Sequence, residues 1–322
     1  MGSYKWLRHA CLISVNSLMK GNRKVLYNNL SAYLKASYGK KIKKICIDGG
    51  FSCPNRDGTC GIGGCIFCGE RGAGEHIDGS LSIEEQVASG LSGARSDTGY
   101  IAYFQNFTNT YADLGTLKSR YDRAISDSRI VALSIGTRPD CIDEGIAELI
   151  ASYKDRLDVW VELGLQTSSD RTAKIINRGY ESRVFTEAVE ILTRHKIPVV
   201  THLMLGLPGE GDEELRNTVD FINSHPISGI KLHSVYVMGS TKLCNMYRSG
   251  EYQPISREAY IKQAIYVLTH ISPELIIHRL VADCPKDRLV APDWNKDKNT
   301  TLKMITDAME EGGLYQGIYY NK

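Results

Sequence analysis

Long apolar runs are absent from this sequence. No stretch approaches the roughly 18 consecutive apolar residues that a membrane-crossing helix requires, so no membrane association of that kind is expected. The short run Ala10–Val15 is broken at once by polar residues and no small-residue cleavage site follows, which reads against a secretory signal. A strong excess of charge is missing too. The net charge of +2 argues against an acidic tail or a uniformly basic nucleic-acid-binding chain, while leaving room for a local basic patch. No low-complexity segment and no short internal repeat is visible. What remains is ordinary soluble globular composition, 42% hydrophobic and 24% charged, over 322 residues. Residues 1–28 read as an N-terminal extension, with Met1–Leu18 outside the core. Residues 29–240 read as the main domain and 241–322 as a C-terminal extension packing on it. The expected compartment is the cytoplasm, where thiols stay reduced.

Cysteine, by contrast, is plentiful: nine in all, four of them in the stretch CPNRDGTCGIGGCIFC, Cys53 to Cys68. In a reducing compartment such clustering points to a metal before a disulfide framework. Spacing alone leaves alternatives. Cys65 and Cys68 make a C-x2-C pair and Cys53 and Cys60 a looser one, a set that zinc can take tetrahedrally. A [4Fe–4S] cluster needs thiolates on a loop that can wrap a cuboid, and the glycines permit such a wrap.

The rest of the chain alternates apolar, β-branched runs with helical patterns. Strands are expected at Lys44–Asp48, Gly99–Gln105, Ile130–Ile135, Asp158–Leu163, Val199–Leu205, Ile230–Val237 and Leu275–Leu280. Helices are expected at Ile83–Leu91, Leu114–Ser126, Glu144–Tyr153, Arg183–Arg194, Asp212–Ser224, Arg257–Ile271 and Thr300–Glu311. This alternation predicts a parallel sheet with helices outside, an α/β fold of the open or closed (β/α) barrel kind. In that architecture chemistry gathers at the C-terminal ends of the strands. The cysteine loop and the segments QNFTNTYA, GTRPDC, GLQTSSD and GLPGEGDEE all fall there.

Cys53, Cys65 and Cys68, spaced C-x11-C-x2-C with Phe67 before the last, resemble the cluster loop of radical S-adenosylmethionine (SAM) enzymes in its extended form. That form is similar to the loop of the Elongator catalytic subunit. The ordered blocks YFQNFTNTYADL, SIGTRPDCI, VELGLQTSSDRTAKIINRGY, THLMLGLPGE, GSTKL, IIHRLVADCPKD and APDW resemble the narrower YhcC/YtqA family, from about Asn29 to Gly317. The resemblance implies a partial (β/α)6 TIM-like barrel with a C-terminal α/β extension. It also implies one [4Fe–4S] cluster on Cys53, Cys65 and Cys68, with Cys60 outside the ligand set, and reductive cleavage of SAM to a 5′-deoxyadenosyl radical. An electron donor such as flavodoxin or ferredoxin would be needed.

For SAM, the resemblance suggests Gln105, Thr108 and Asn109 near the methionine amino group, Glu162 and Gln166 near ribose and carboxylate, and Gly206, Gly209 and Glu210 at the adenine. Glu162 and the glycines also have plainer readings: a paired interior carboxylate and turn chemistry, respectively. Arg138 is expected to clamp a carboxylate or phosphate, or to pair with Asp140 or Glu162. Arg178 in NRGY is expected to face SAM or substrate, or to make a surface pair. His278 and Arg279, with Asp283 and Asp287, are placed at the substrate end, and Arg138, Glu162, His278 and Arg279 form the catalytic set. His202 and His233 read as hydrogen-bonded strand residues, and Cys46, Cys141, Cys244 and Cys284 as core.

The implied substrate is tRNA, with 5-carboxymethylaminomethyluridine at the wobble position converted toward 5-aminomethyluridine. Lys20, Arg23, Lys24, Lys40, Lys41, Lys43 and Lys44, interleaved with Tyr27, Tyr33 and Tyr38, form a candidate RNA face, against a simple solvated surface. There is no recognised RNA-binding module and no acetyltransferase-like half. The other classes are a radical SAM enzyme on a small molecule or peptide, and a zinc-binding interaction protein without enzymatic activity.

Overall fold

The computed structural model describes residues 19–20, 23–72, 74, 77–93 and 97–321; the expected extension Met1–Leu18 lies outside the described residues. Apart from a short antiparallel pair, Met19–Lys20 with Arg23–Lys24, the strands are β1 (Lys41–Ile47), β2 (Thr98–Phe104), β3 (Ile130–Thr137), β4 (Asp158–Gln166), β5 (Val199–Leu205), β6 (Gly229–Ser234), β7 (Val237–Met238), β8 (Ile276–Arg279) and β9 (Leu289–Ala291). Seven of them form one sheet in the order β8-β6-β5-β4-β3-β2-β1, parallel throughout. Strands β7 and β9 pair separately as an antiparallel ribbon.

Parallel neighbours need long crossovers, and helices supply them. The helices are α1 (Leu30–Tyr38), α2 (Ile83–Leu91), α3 (Leu114–Ala124), α4 (Glu144–Ser152), α5 (Asp170–Ile175), α6 (Ser182–Arg194), α7 (Asp212–Asn223), α8 (Lys242–Arg248), α9 (Arg257–His270) and α10 (Lys298–Glu311), of which α2 to α9 lie between strands of the sheet. Local chemistry sets several starts. Ser82 and Glu85 form a capping box on α2, and Asp113 and Asp143 cap α3 and α4 through their side chains.

The sheet is strongly curled. Lys231 on β6 donates to the Tyr103 hydroxyl on β2 at 3.1 Å, although those strands are separated by about 19 Å in a flat sheet at the usual spacing. Lys44 on β1 likewise reaches Glu162 on β4, at 3.4 Å. The seven strands therefore form a half-barrel with a lumen. Helix α1 plugs its lower end: Leu30, Tyr33 and Leu34 pack on Ile101, Ala132, Trp160, Val200 and Ile276. The same helix touches both edge strands, β1 and β8, and Ile277 N–H donates to the Asn28 carbonyl at 2.7 Å. A larger core fills the space between the sheet and the outer helices.

Two differences from the sequence expectation have simple causes. Strand β1 starts at Lys41, before the expected Lys44, because an edge strand can alternate Lys41 and Lys43 to solvent with Ile42 and Lys44 to the lumen. The expected strand Ile230–Val237 ends at Ser234, and Val237–Met238 turns away into the ribbon. The edge strand β8 comes from the segment read as a C-terminal extension.

Candidate active site

The cysteine loop leaves β1 at the C-terminal mouth. Its turn is held by Arg56 N–H to the Cys53 carbonyl at 2.8 Å, Cys60 N–H to Pro54 at 2.9 Å and Cys68 N–H to Cys65 at 3.0 Å. Gly63 and Gly64 both have positive φ, 79° and 74°, which a side chain would resist, and they turn the chain so that Cys65 faces inward. The NRGY segment clamps this turn. Asn177 donates to the Gly64 carbonyl at 2.8 Å, and Asn55 donates to the Asn177 carbonyl at 2.6 Å. Ile66 anchors the loop in a satellite apolar cluster with Leu207, Val237, Leu243 and Ala291, so the β7–β9 ribbon packs directly on it.

The thiols sit in different surroundings. A hydrogen bond with Cys68, together with burial, pushes Cys65 up; the same bond pulls Cys68 down, with Arg56 adding to the pull. Asn55 Nδ2 lies 3.8 Å from Cys65 Sγ. Cys60 is exposed and lies 3.6 Å from Arg138 and 3.7 Å from Asp140. Among the described residues, no three His, Cys, Asp or Glu side chains close on a single-ion site.

The β2 loop runs beside the cysteines. Thr108 N–H donates to the Ser52 carbonyl at 3.1 Å, and Asn109 Nδ2 to the Gly136 carbonyl at 2.6 Å. Thr108 Oγ1 and Asn109 Oδ1 are buried without a hydrogen-bond partner, as are Asn106 Oδ1, against Gly74, and Asn55 Oδ1, against Gly61. Buried acceptors of this kind are costly unless something donates to them. An ammonium group beside the cluster loop would do so, so these residues and three cysteines on a wrapped loop fit both SAM and an iron–sulfur cluster. Gln105 is half-buried at the start of this loop. Gln166, at a bulge in β4 with φ 62°, meets Glu210 and Met204 around a small cavity. Burial pushes the Glu210 carboxyl up.

Arg138, Arg178, Gly206 and Gly209 all have partners within the protein. Arg138 forms its ion pair with Asp140, at 2.6 Å, and donates to the Arg178 carbonyl at 2.9 Å. It braces the loops and does not meet Glu162. Arg178 is fully buried and faces neither solvent nor an open site. Its guanidinium caps the end of β4, donating to the carbonyls of Leu165 and Thr167 at 2.5 and 2.7 Å. Gly206 is covered: a Cβ there would meet Ile255 at 3.0 Å, and its carbonyl accepts from Tyr252 at 2.8 Å. Gly209 has φ 77° and its carbonyl accepts from Arg171 at 2.9 Å, which is turn chemistry.

Beneath the mouth lies a charged layer. Glu162 is the hub, fully buried on β4. It accepts from Lys231, from His202 Nε2 at 2.7 Å, from Ser134 at 2.9 Å and from Lys44 at 3.4 Å. Nearby positive charge outweighs burial and holds the Glu162 carboxyl well below its usual range. Burial, only partly offset by Glu162, brings Lys231 down to about 7. Burial also lowers His202 to about 4 and holds His233 and His278 well below the ordinary imidazole value. His278 Nδ1 stands 4.0 Å from Glu162, and Arg279 contacts His233 Nε2.

Sequence reasoning placed Glu162, His278 and Arg279 inside but did not single out Lys231. The available signal was its even spacing from His233 in IKLHSV, which puts both on one face of the strand. The expected RNA face is not at the mouth. Lys41 and Lys43 are exposed at the opposite end of the barrel, Lys44 points into the lumen, Tyr33 is buried, and Tyr38 bonds to Asp158. The side chains of Lys20, Arg23 and Lys24 lie outside the described residues.

Residues 55–222 match the radical SAM superfamily and 227–311 the radical SAM C-terminal domain. The chain is 34% identical to YtqA of Bacillus subtilis strain 168, over 95% of this chain and 97% of that one. It is 36% identical to YhcC of Escherichia coli K12, over 90% and 94%. A shorter match, 28% identical over 58% of this chain and 34% of the other, is to a tRNA uridine(34) acetyltransferase of Methanocaldococcus infernus. Among solved structures, the Elp3 of that archaeon superposes with a TM-score of 0.65 at 19% identity, covering 85% of this chain and 64% of that one. Methylornithine synthase superposes with a TM-score of 0.53 at 12% identity, over 89% and 87%. Among the described residues no helix is long and apolar enough to cross a membrane. The half-barrel, the cysteine loop and these matches together establish that the chain belongs to the radical SAM superfamily and is an enzyme of that class.

Proposed function

We propose that this enzyme modifies the wobble uridine of tRNA, acting on the 5-carboxymethylaminomethyl side chain to leave 5-aminomethyl: the carboxymethyl methylene would lose a hydrogen atom to the SAM-derived radical and then one electron, and water would hydrolyse the resulting imine so that the two-carbon unit leaves as glyoxylate. The observation that carries the reading is the similarity of the barrel to a tRNA uridine(34) acetyltransferase and to Elongator complex protein 3, the latter over 50% of this chain. When bound, the cluster and SAM supply a carbon-centred radical able to abstract hydrogen. Cys53, Cys65 and Cys68 hold the cluster. Thr108 and Asn109, with their unmatched acceptors, receive the methionine ammonium. Gln105, Gln166 and Glu210 complete the SAM wall. Arg138 and Arg178 keep the mouth rigid from behind, and Met204 and the β7–β9 ribbon help keep water out. A cytoplasmic electron donor such as flavodoxin or ferredoxin supplies the reducing electron.

The test begins with anaerobic reconstitution using iron and sulfide, a spectrum, and SAM cleavage with dithionite. It continues with mass analysis of nucleosides from tRNA bearing the carboxymethylaminomethyl group. Release of 5′-deoxyadenosine together with loss of that group is the expected result. SAM cleavage with every tRNA unchanged would move the substrate to a small molecule or peptide. A colourless, zinc-holding protein would overturn the assignment of the loop.

A further inference from the structure

The lumen below the mouth carries more positive charge than its wall can neutralise. Lys44, Lys231 and Arg279 point into it, and among the described residues the carboxylate that pairs with them is Glu162 alone. Glu162 is already saturated by Lys231, His202, Ser134 and Lys44. Arg279 is left with a neutral partner, the His233 ring, and its Nε is buried with no hydrogen-bond acceptor. A half-buried guanidinium with an unmet donor, in a chamber whose two other cations are tied to Glu162, lacks an anion.

The chamber is also hollow. On the inner face Cys46, His202, Met204, His233 and Arg279 are only half-buried, while the side chains between them on the same strands are buried against the helices. The floor is closed by Trp160 and α1. A guest would therefore enter from the mouth, with its anionic end toward the cationic layer.

We infer that this layer is a subsite for a carboxylate carried by the substrate, with Arg279 as the specificity-determining contact, Lys44 a supporting charge, and Lys231 a positioning residue locked by Glu162. The guanidinium offers a planar fork suited to a carboxylate. One such fork beside an already paired lysine suits a monoanion better than a phosphate dianion. The inference rests on the proposed function only for which molecule brings the carboxylate.

The test has two arms. In the first, the melting temperature of the full chain is followed in sodium acetate, in acetamide, in inorganic phosphate and in chloride at matched ionic strength. Preferential binding to the folded state raises the melting temperature with ligand concentration. Acetate is expected to raise it above chloride and acetamide. Arg279→Gln is expected to abolish that rise, and Arg279→Lys to keep part of it. Lys44→Gln, at a partly exposed position, should halve it and serves if Arg279→Gln does not fold. The acetate effect should add to that of SAM. No acetate-specific rise, an undiminished rise in the variants, a response to phosphate alone, or competition between acetate and SAM would each overturn the proposal, the last by assigning the cations to SAM's own carboxylate.

In the second arm, tRNA carrying the carboxymethylaminomethyl group is compared with its neutral methyl ester. Arg279→Gln is expected to lower kcat/KM about tenfold or more for the acid, the loss of one charge-assisted bond, and to spare the ester. An acetate effect without any tRNA turnover leaves the subsite standing and removes the tRNA reading. Wild-type turnover that Arg279→Gln reduces equally for acid and ester does the reverse.

Discussion

Replacing Lys231 with methionine probes the charged layer most directly. Methionine keeps the length and apolar bulk of the lysine stem and deletes its ammonium, leaving Glu162 buried with weaker company. His202 at 2.7 Å and Ser134 at 2.9 Å still donate, but the nearest remaining cation, Lys44, stands 3.4 Å away and is partly exposed. Breaking a buried pair from one side costs about 3–5 kcal/mol, and the retained donors place this case near 3 kcal/mol. For 322 residues the unfolding entropy is about 0.7 kcal/mol per degree, so the melting temperature should fall by about 4 °C. The double variant Glu162→Leu with Lys231→Met removes both charges and should recover most of that loss. Thermal unfolding by circular dichroism reads both. A single variant melting within about 1 °C of the parent, or a double variant no better than the single, would refute the view that Lys231 and Glu162 hold each other.

Three further outcomes follow from the same structure. Cys65→Ala should lose iron and SAM cleavage while Cys60→Ala retains both; iron and sulfide analysis after reconstitution checks this, and iron loss in Cys60→Ala would make it a ligand. Fold stability should decline as pH falls from 7 to 5, because the unfolded chain protonates its histidines near 6.5 while His202 stays neutral until about 4. Its contribution is intact above 6.5 and fades toward 4, with roughly 2 kcal/mol gone by pH 5, and a flat stability profile in urea titrations would contradict it. Arg178→Met should destabilise by about 2 kcal/mol or more, since it removes the guanidinium donor from the Thr167 carbonyl and leaves the Leu165 carbonyl with Thr167 N–H alone. A wild-type melting curve would show those carbonyls to be satisfied otherwise.

Much of the architecture was readable because parallel strands buried on both sides leave continuous apolar runs, such as GYIAYF and IVALSI, and place their loops at one end. The cysteine loop was readable because its ligand spacing is local. The lumen was not. Lys231 and Glu162 are 69 residues apart, and nothing in IKLHSV says that its lysine faces inward until the sheet curls. Arg178 looked like a surface or substrate residue because a fully buried guanidinium is rare and is justified only by carbonyls that the bulge in β4 exposes. The basic run GKKIKK suggested RNA, but strand direction puts it at the closed end of the barrel.

The plug beneath the barrel ties the order of synthesis to the order of assembly. Asn28 N–H donates to Gln316 across 288 positions, and Gln316 in turn donates its own N–H to the Leu26 carbonyl. Helix α1 is synthesised before every strand of the sheet, yet one edge strand it must meet, β8, is made more than 200 residues later. Contacts of such long range close slowly, after their loop entropy has been overcome. During that interval the inner wall, with its lysines and histidines, stands open to solvent, and the nascent chain offers chaperones an unclosed sheet edge at β6. Final closure therefore coincides with arrival of the C-terminal segment, the same segment whose ribbon braces the cysteine loop.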